Sequence, residues 1–422
     1  MAKLPERWLD AEAITTGPEG DRKTMIKYMA DDKSIRIVEP PFPPYFFAPA
    51  SQMGYINSGL EKFHGYVEQG NYVSTTGERL VKISCQSIDD IGRYSTPGFR
   101  EYLEDMRIKT FESDVPFVDR IALDCNIKQC AVKSKAYLDI EVEALHEFPD
   151  VEKAEHQIIS ISVVGNDEKE YFFCNDDEYK VLGDVQRLFK TKYHMVTGWN
   201  LKKFDWHYMR NRARKLKTNF TTFGVQEIDA MQNYRKIAIL GYGGEGYSLE
   251  AVSKQHFGVD VESNKIPMTP QGMWESFKGD RKALREYNMQ DSRLVLKLDN
   301  LLNLCAPYVQ ICERVPIFLR DTPMMTKVWE HMLMRGALAH SPRLVFPRRS
   351  KREANLIGGF TYEPTAGVYD NVLVMDYSAL YPSIMRSFEL SPELVGLYQA
   401  WKRSQLDINT WINITFKGDK NE

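Results

Sequence analysis

Two carboxylates in the stretch Tyr137-Leu138-Asp139-Ile140-Glu141-Val142 are spaced for joint work on one cation. Ala136, Leu138, Ile140 and Val142 recur on the two-residue period of a strand and so share a buried face. Asp139 and Glu141 then project together from the opposite face. Like charges about 6–7 Å apart on an otherwise apolar strand repel and resist burial unless a cation or a shared proton lies between them. A divalent metal is the simplest remedy, and a solvated polar face on an edge strand is the alternative. Hard carboxylate oxygens suit magnesium-like ions, which in pairs activate water and neutralise developing charge on oxygen.

Acids further along the chain could join this pair only through folding. Asp205 opens a helix pattern directly after Asn200-Leu-Lys-Lys-Phe204, and Tyr287 and Asp291 stand one turn apart in a helix expected from about Arg281 to Leu302. Leu284, Leu294, Leu298 and Leu301 share the stripe of Tyr287 and Asp291, so this aspartate is expected to point inward. Ile158–Val164 and Tyr171–Cys174, joined through Gly165-Asn166-Asp167, form an antiparallel hairpin pattern, and residues 195–200 form another strand. Ser248 caps a helix over 249–257 that stops at Gly258, while the glycine-rich 241–246 segment lacks the Gly-Lys-Ser/Thr of a phosphate cradle. Arg210, Arg212, Arg214, Lys215 and Lys217 crowd one helix end, as a solvated face or as a phosphate contact.

Upstream, Thr24–Met29 and Ile35–Val38 read as a hairpin, and the prolines of 40–44 demand an extended bend that commits Tyr45, Phe46 and Phe47 to a core. A helix is expected over 98–106. The basic stretch from Pro342 to Arg352 reads as a linker or DNA-facing segment, followed by a strand over Asn371–Tyr377. With 422 residues, 43% hydrophobic and 12% aromatic, the composition is that of a multidomain globular protein and excludes collagen-like and disordered classes. A formal charge of −3 excludes a uniformly basic nucleic-acid binder but leaves room for local basic patches. Six scattered cysteines without a Cys-x-x-Cys pair are expected to be reduced, and Cys125 and Cys130 are near enough in sequence to bridge only in a hyperthermophile. No signal-like start and no run of about 18 apolar residues occurs, which points to a cytoplasmic protein with no membrane partner, nucleoid-associated in a cell or in the host cytoplasm if viral.

Taken together, Asp-x-Glu at 139–141, Asn-x-x-x-Phe-Asp at 200–205 and Tyr-x-x-x-Asp at 287–291 resemble the three exonuclease motifs of family B DNA polymerases. Ile228-Asp229, Tyr247-Ser-Leu-Glu-Ala-Val252 and Phe257-Gly258 resemble further parts of that domain. Pro44-Tyr45-Phe46 resembles the family's N-terminal domain, and Gly358-Gly359 its Tyr-x-Gly-Gly element, with Leu356 where tyrosine is usual. Asp376-Tyr-Ser-Ala-Leu-Tyr-Pro-Ser383 resembles palm motif A.

The resemblance implies an α/β (α+β) multidomain chain: a β-rich N-terminal domain over 1–131, a ribonuclease H-like 3′→5′ exonuclease domain with a mixed sheet flanked by helices over 132–312, a connecting segment over 313–353 returning to the N-terminal domain, and a partial palm over 354–422. It also implies two magnesium or manganese ions, one held by Asp139, Glu141 and Asp291 and one by Asp139 and Asp205, with the Tyr287 hydroxyl orienting the attacking water. Asn200 and Phe204 would contact a frayed single-stranded 3′ end. In the palm, Asp376 would bind metal, the backbone around Ser378 and Leu380 would follow a dNTP, and Tyr381 would lie under its sugar.

The family pattern then stops. Asp407 and Asp419 follow Asp376 outside any Asp-Thr-Asp setting, and the fingers motif and thumb are lacking. One palm aspartate makes no adequate metal site. The expectation is therefore the N-terminal part of a primer-template-directed polymerase whose palm metals require a second polypeptide. A stand-alone 3′→5′ exonuclease and a non-catalytic DNA-binding subunit are the alternatives. Thr410–Phe416 alternates like a strand able to pair with such a partner, and an exposed palm would make the lone chain sticky.

Overall fold

The computed structural model describes residues 4–18, 21–92, 97–238, 246–258, 268–348, 362–363 and 365–388. Two compact units are present, one made of Met1–Pro41 and Pro116–Arg335, the other of Phe42–Val115 and the chain from Gly336 onward. The glycine-rich residues 241–245, Leu356, Gly358-Gly359 and the Thr410–Phe416 pattern lie outside the described residues.

The first unit is built on a five-stranded mixed sheet in the order 170–173, 158–165, 135–142, 195–198, 226–229. Lys135–Val142 is its middle strand, antiparallel to Ile158–Gly165 and parallel to Met195–Gly198. The alternation seen in the sequence is realised. Ala136, Leu138, Ile140 and Val142 enter a core with Ile161 and Val163 of the neighbouring strand and with Trp206, Tyr208 and Met209 of the helix Asp205–Lys215. Tyr137 faces the other way, packing with Tyr234, Val252, Val295 and Leu298. Helices thus cover both faces, which is how a sheet with parallel central strands is kept from water.

Gly198 closes the strand Met195–Gly198 where side chains cannot fit: a Cβ there would sit 2.5 Å from the Leu138 carbonyl oxygen. Gly198→Ala is expected to cost about 1–3 kcal/mol, because backbone on both sides must shift. Urea denaturation with an unchanged midpoint would contradict this.

The long helix Lys282–Leu302 lies against the face that carries Asp139. Leu284, Leu294 and Leu298 are buried as their spacing requires, but Leu301 is 51% exposed and does not belong to the inward stripe. Asp299 takes an inward place instead. It is 2% exposed, and its carboxylate accepts from the Tyr137 hydroxyl at 2.6 Å, from Lys135 Nζ at 2.7 Å and from the Cys305 amide at 2.9 Å. Burial alone would raise this carboxyl; the Lys135 and Tyr137 hydrogen bonds outweigh it and hold the group below the usual range.

A separate three-stranded sheet contains the expected hairpin, as Lys23–Met29 and Ile35–Val38. The second unit has a four-stranded sheet with Tyr45–Pro49 at one edge, the position that tolerates a proline-flanked strand. Its opposite edge is Arg343–Val345, paired with residues 72–74. Arg343 bonds Glu112 at 3.1 Å, so the first part of the stretch expected as a linker is sheet. Residues 371–377 contain no strand: Val372, Leu373, Val374 and Met375 are 63–84% exposed, and among the described residues no strand pairs with them. A continuous apolar run becomes a strand only where neighbours supply hydrogen bonds on its edges and cover on its faces. All six cysteines are free.

Candidate functional site

Asp139 and Glu141 leave the same face of the middle strand, and Asp291 reaches them from the long helix. One carboxylate oxygen of each lies within 4.8 Å of those of the other two. Asp139 and Glu141 are half-buried. The strand opposite bulges here: Ser160 pairs with Glu141 while Ile158 pairs with Val142, leaving Ile159 extra. Such a bulge re-aims side chains at a site. Ile159 is buried beside Phe277 and Leu284.

Asp139 has a partner that the sequence did not single out. Asn288 is fully buried, and its Nδ2 donates to Asp139 Oδ2 at 2.7 Å. Three hard carboxylates converging from a strand and a helix form a donor set that suits magnesium or manganese.

Asp205 is not in that 4.8 Å group but bonds the backbone of Ile140, the residue between Asp139 and Glu141. The parallel strand Met195–Gly198 pairs with residues 135–137 only, so the backbone edge beyond Tyr137 is left open. Asp205 Oδ1 takes it, accepting from the Ile140 amide at 3.2 Å. Burial pushes the Asp205 carboxyl up to about 7, against the hydrogen bonds it accepts, and the negative charges of Asp229 and Asp291 add to the rise. An acid whose pKa is raised by folding binds more protons folded than unfolded, so metal-free stability falls as pH rises from about 4 through 7. Asp205→Asn keeps the acceptor for Ile140 and removes the charge. It is expected to raise the melting temperature in EDTA at pH 8, by roughly 2–4 °C for each kcal/mol relieved, and to leave it nearly unchanged at pH 4. Equal shifts at both pH values would contradict the assignment.

The turn before Asp205 is fixed from several sides. Asn200 adopts a left-handed φ of 66°, its carbonyl accepts from the Phe204 amide at 3.0 Å, and the Lys202 amide donates to Asp229 at 3.0 Å. Asn200 Oδ1 is buried without a hydrogen-bond partner among the described residues. Phe204 is half-buried, stacks on Tyr208 at 5.8 Å, and meets Phe148 at 5.7 Å. Phe148 is 82% exposed on the loop after the carboxylate strand, between Glu147 and Pro149, and no local pattern in the sequence singles it out. Tyr287 is half-buried one turn before Asp291.

Of the basic cluster, Arg212 is a structural residue: it bonds Glu178 with two nitrogens at 2.9 and 2.8 Å and also the carbonyls of Ala154 and Glu155. In the second unit, Asp376 and Ser378 are exposed ahead of the helix Leu380–Ser387, Tyr381 is exposed, and the Ser378 carbonyl accepts from the Ser383 hydroxyl at 3.2 Å.

Comparison with known proteins agrees with this architecture. The RNase_H superfamily model matches residues 136–303, and that of DNA polymerase family B matches residues 325–421. DNA polymerase 1 of Sulfurisphaera ohwakuensis is 28% identical over 342 residues, 69% of this chain and 37% of that protein. The DNA polymerase of Archaeoglobus fulgidus is 23% identical over 349 residues, 71% of this chain and 43% of its own length. The chain therefore matches about two fifths of the length of these relatives. The solved structure of the family B DNA polymerase from the hyperthermophilic archaeon Pyrobaculum calidifontis matches with a TM-score of 0.65 at 20% identity, covering 90% of this chain and 56% of that one. With a mixed sheet flanked by helices in the first unit, matches to both family models and a run of polymerase relatives, the chain belongs to family B of the DNA polymerases and corresponds to their N-terminal region, including an exonuclease-like domain.

Proposed function

We propose that this chain is the proofreading part of a DNA-directed DNA polymerase, a metal-dependent 3′→5′ exonuclease joined to the first palm motif. The observation that carries the reading is the convergence of Asp139, Glu141 and Asp291 within 4.8 Å on a ribonuclease H-type sheet. In this reading residues 1–131 are the N-terminal domain, 132–312 the exonuclease, 313–353 the connection and 354–422 the partial palm.

Asp139, Glu141 and Asp291 would hold one magnesium or manganese ion, and Asp139 with Asp205 a second. Bound there, the ions would supply an activated water and neutralise charge on the attacked phosphate and the leaving oxygen. The Tyr287 hydroxyl would orient the water. Asn200, which begins the Asn-x-x-x-Phe-Asp stretch leading to Asp205, contacts the 3′ terminus together with Phe204 in this reading. The exposed ring of Phe148 beside Phe204 suits stacking on a base splayed from a single strand.

Synthesis belongs to the assembled enzyme. Asp376, with Ser378, Leu380 and Tyr381 along the dNTP, supplies one carboxylate of a palm cation site that is complete only with the other palm carboxylate and the fingers. Primer-template DNA is then the shared substrate of both activities, inside the cell. Incubating the chain with magnesium and 5′-labelled single-stranded DNA is expected to give a ladder shortened one nucleotide at a time from the 3′ end. Intact substrate, or internal cuts, would overturn the exonuclease reading.

A further inference from the structure

We infer that Asn288 is a positioning residue for the cation-binding carboxylates: its side-chain amide, anchored by Ser160, sets the plane of the Asp139 carboxylate that meets Glu141 and Asp291. The inference rests on the exonuclease reading and assigns a part of that site which its motifs leave out.

Asn288 sits between Tyr287 and Asp291 in sequence, three residues before Asp291 and so on its side of the helix. It is fully buried, where an amide is retained only if its bonds are made. Its orientation is decided by its neighbours. An ionised carboxylate can only accept, so the amide nitrogen must face Asp139 Oδ2, at 2.7 Å; the amide oxygen then faces the Ser160 hydroxyl, which donates at 3.1 Å.

Ser160 is the cross-strand partner of Glu141, and Ser162 that of Asp139. These serines lie on the same face as the acids, beneath the long helix. Ser162 donates to the backbone carbonyl of Asn288 at 2.9 Å and lies 2.7 Å from the Ser292 hydroxyl. Asn288 is therefore gripped by main chain and side chain together, fixing the register of the helix on the strand. A leucine at this place could fill the volume but could not direct a carboxylate. Partners that orient metal ligands from behind influence affinity about 10–100-fold.

Binding of Mn2+ to the purified chain, read by electron paramagnetic resonance, tests this without any turnover. Asn288→Ala is expected to weaken Mn2+ about tenfold or more, and Ser160→Ala about threefold, since it acts through the amide. The double variant is expected to bind no worse than Asn288→Ala alone, because Ser160 has nothing left to anchor. Asn233→Ala supplies the structural comparison: it removes another buried asparagine, one that bonds the Leu304 carbonyl at 3.0 Å, and should lower the metal-free melting temperature while leaving Mn2+ affinity within about twofold. If Asn288→Ala does not fold, Ser160→Ala carries the same measurement with the loss of one hydroxyl. Wild-type binding unaltered by either substitution overturns the inference alone. A wild-type chain that binds no Mn2+ removes the exonuclease reading and the inference with it.

Discussion

Asp139→Ala is expected to lower magnesium-dependent 3′→5′ degradation of single-stranded DNA by at least about 10³-fold, a loss of about 4 kcal/mol in transition-state stabilisation. No other residue of the group is asked to do as much. It lies within 4.8 Å of both Glu141 and Asp291, it is held by Asn288, and its strand neighbour Ile140 supplies the amide that fixes Asp205. In the proposed arrangement it touches both cations, so truncation removes a ligand from each. Asp139→Asn separates charge from shape. The amide oxygen can still accept from Asn288, yet the hard anionic donor is gone, and degradation should fall nearly as far. Because one of three mutually repelling carboxylates disappears, the metal-free melting temperature should hold or rise in Asp139→Asn, whereas Asp139→Ala also strips the buried Asn288 amide of its acceptor and should melt below Asp139→Asn. Degradation by either variant at near wild-type rate would mean that the acids are not the cation site.

Local rules written in the sequence carried over where one segment decides its own structure. Ser248 does cap a helix that runs to Phe257 and stops at Gly258, and the alternation from 136 to 142 does divide two faces of a strand. The features that were not legible are those set by a distant partner. Asn288 reads as an ordinary helix residue until Ser160, Ser162 and Asp139 close around it. The same holds for Asp299, which finds Lys135 and Tyr137 from 164 and 162 residues away. The Ile159 bulge depends on register, and register follows from pairing rather than from local pattern. Asp205 shows both sides of the matter: its type and its place after Phe204 marked it, but the open backbone edge that receives it exists only because the parallel strand pairs no further than Tyr137. Apolar runs mislead for the same reason, as Val372 to Met375 show, since hydrophobicity announces a need for cover and not its source.

Asp376→Ala is expected to abolish primer extension, by about 10³-fold or more, in a mixture of this chain with a polypeptide carrying the second palm carboxylate and the fingers. Degradation by the same mixture should stay within about twofold of the wild type. The argument is one of separate chemistry on separate residues. Asp376 belongs to the second compact unit, Asp139, Glu141, Asp205 and Asp291 to the first, and neither set contributes a ligand to the other in the proposed scheme. Nucleotidyl transfer needs carboxylates for two cations, and Asp376 supplies only part of that set, so the chain alone should extend nothing whatever residue stands there. The exposed Val374, Met375 and Tyr377 flank Asp376 with apolar surface that a completing chain would cover. Covering it has its own readout: the mixture should elute as one species, and the lone chain should bind a hydrophobic dye that the mixture does not. Extension by the lone wild-type chain would show that synthesis does not need the partner. Extension by the Asp376→Ala mixture at wild-type rate would take Asp376 out of the palm site altogether, and a parallel loss of degradation would show that the two activities share this aspartate.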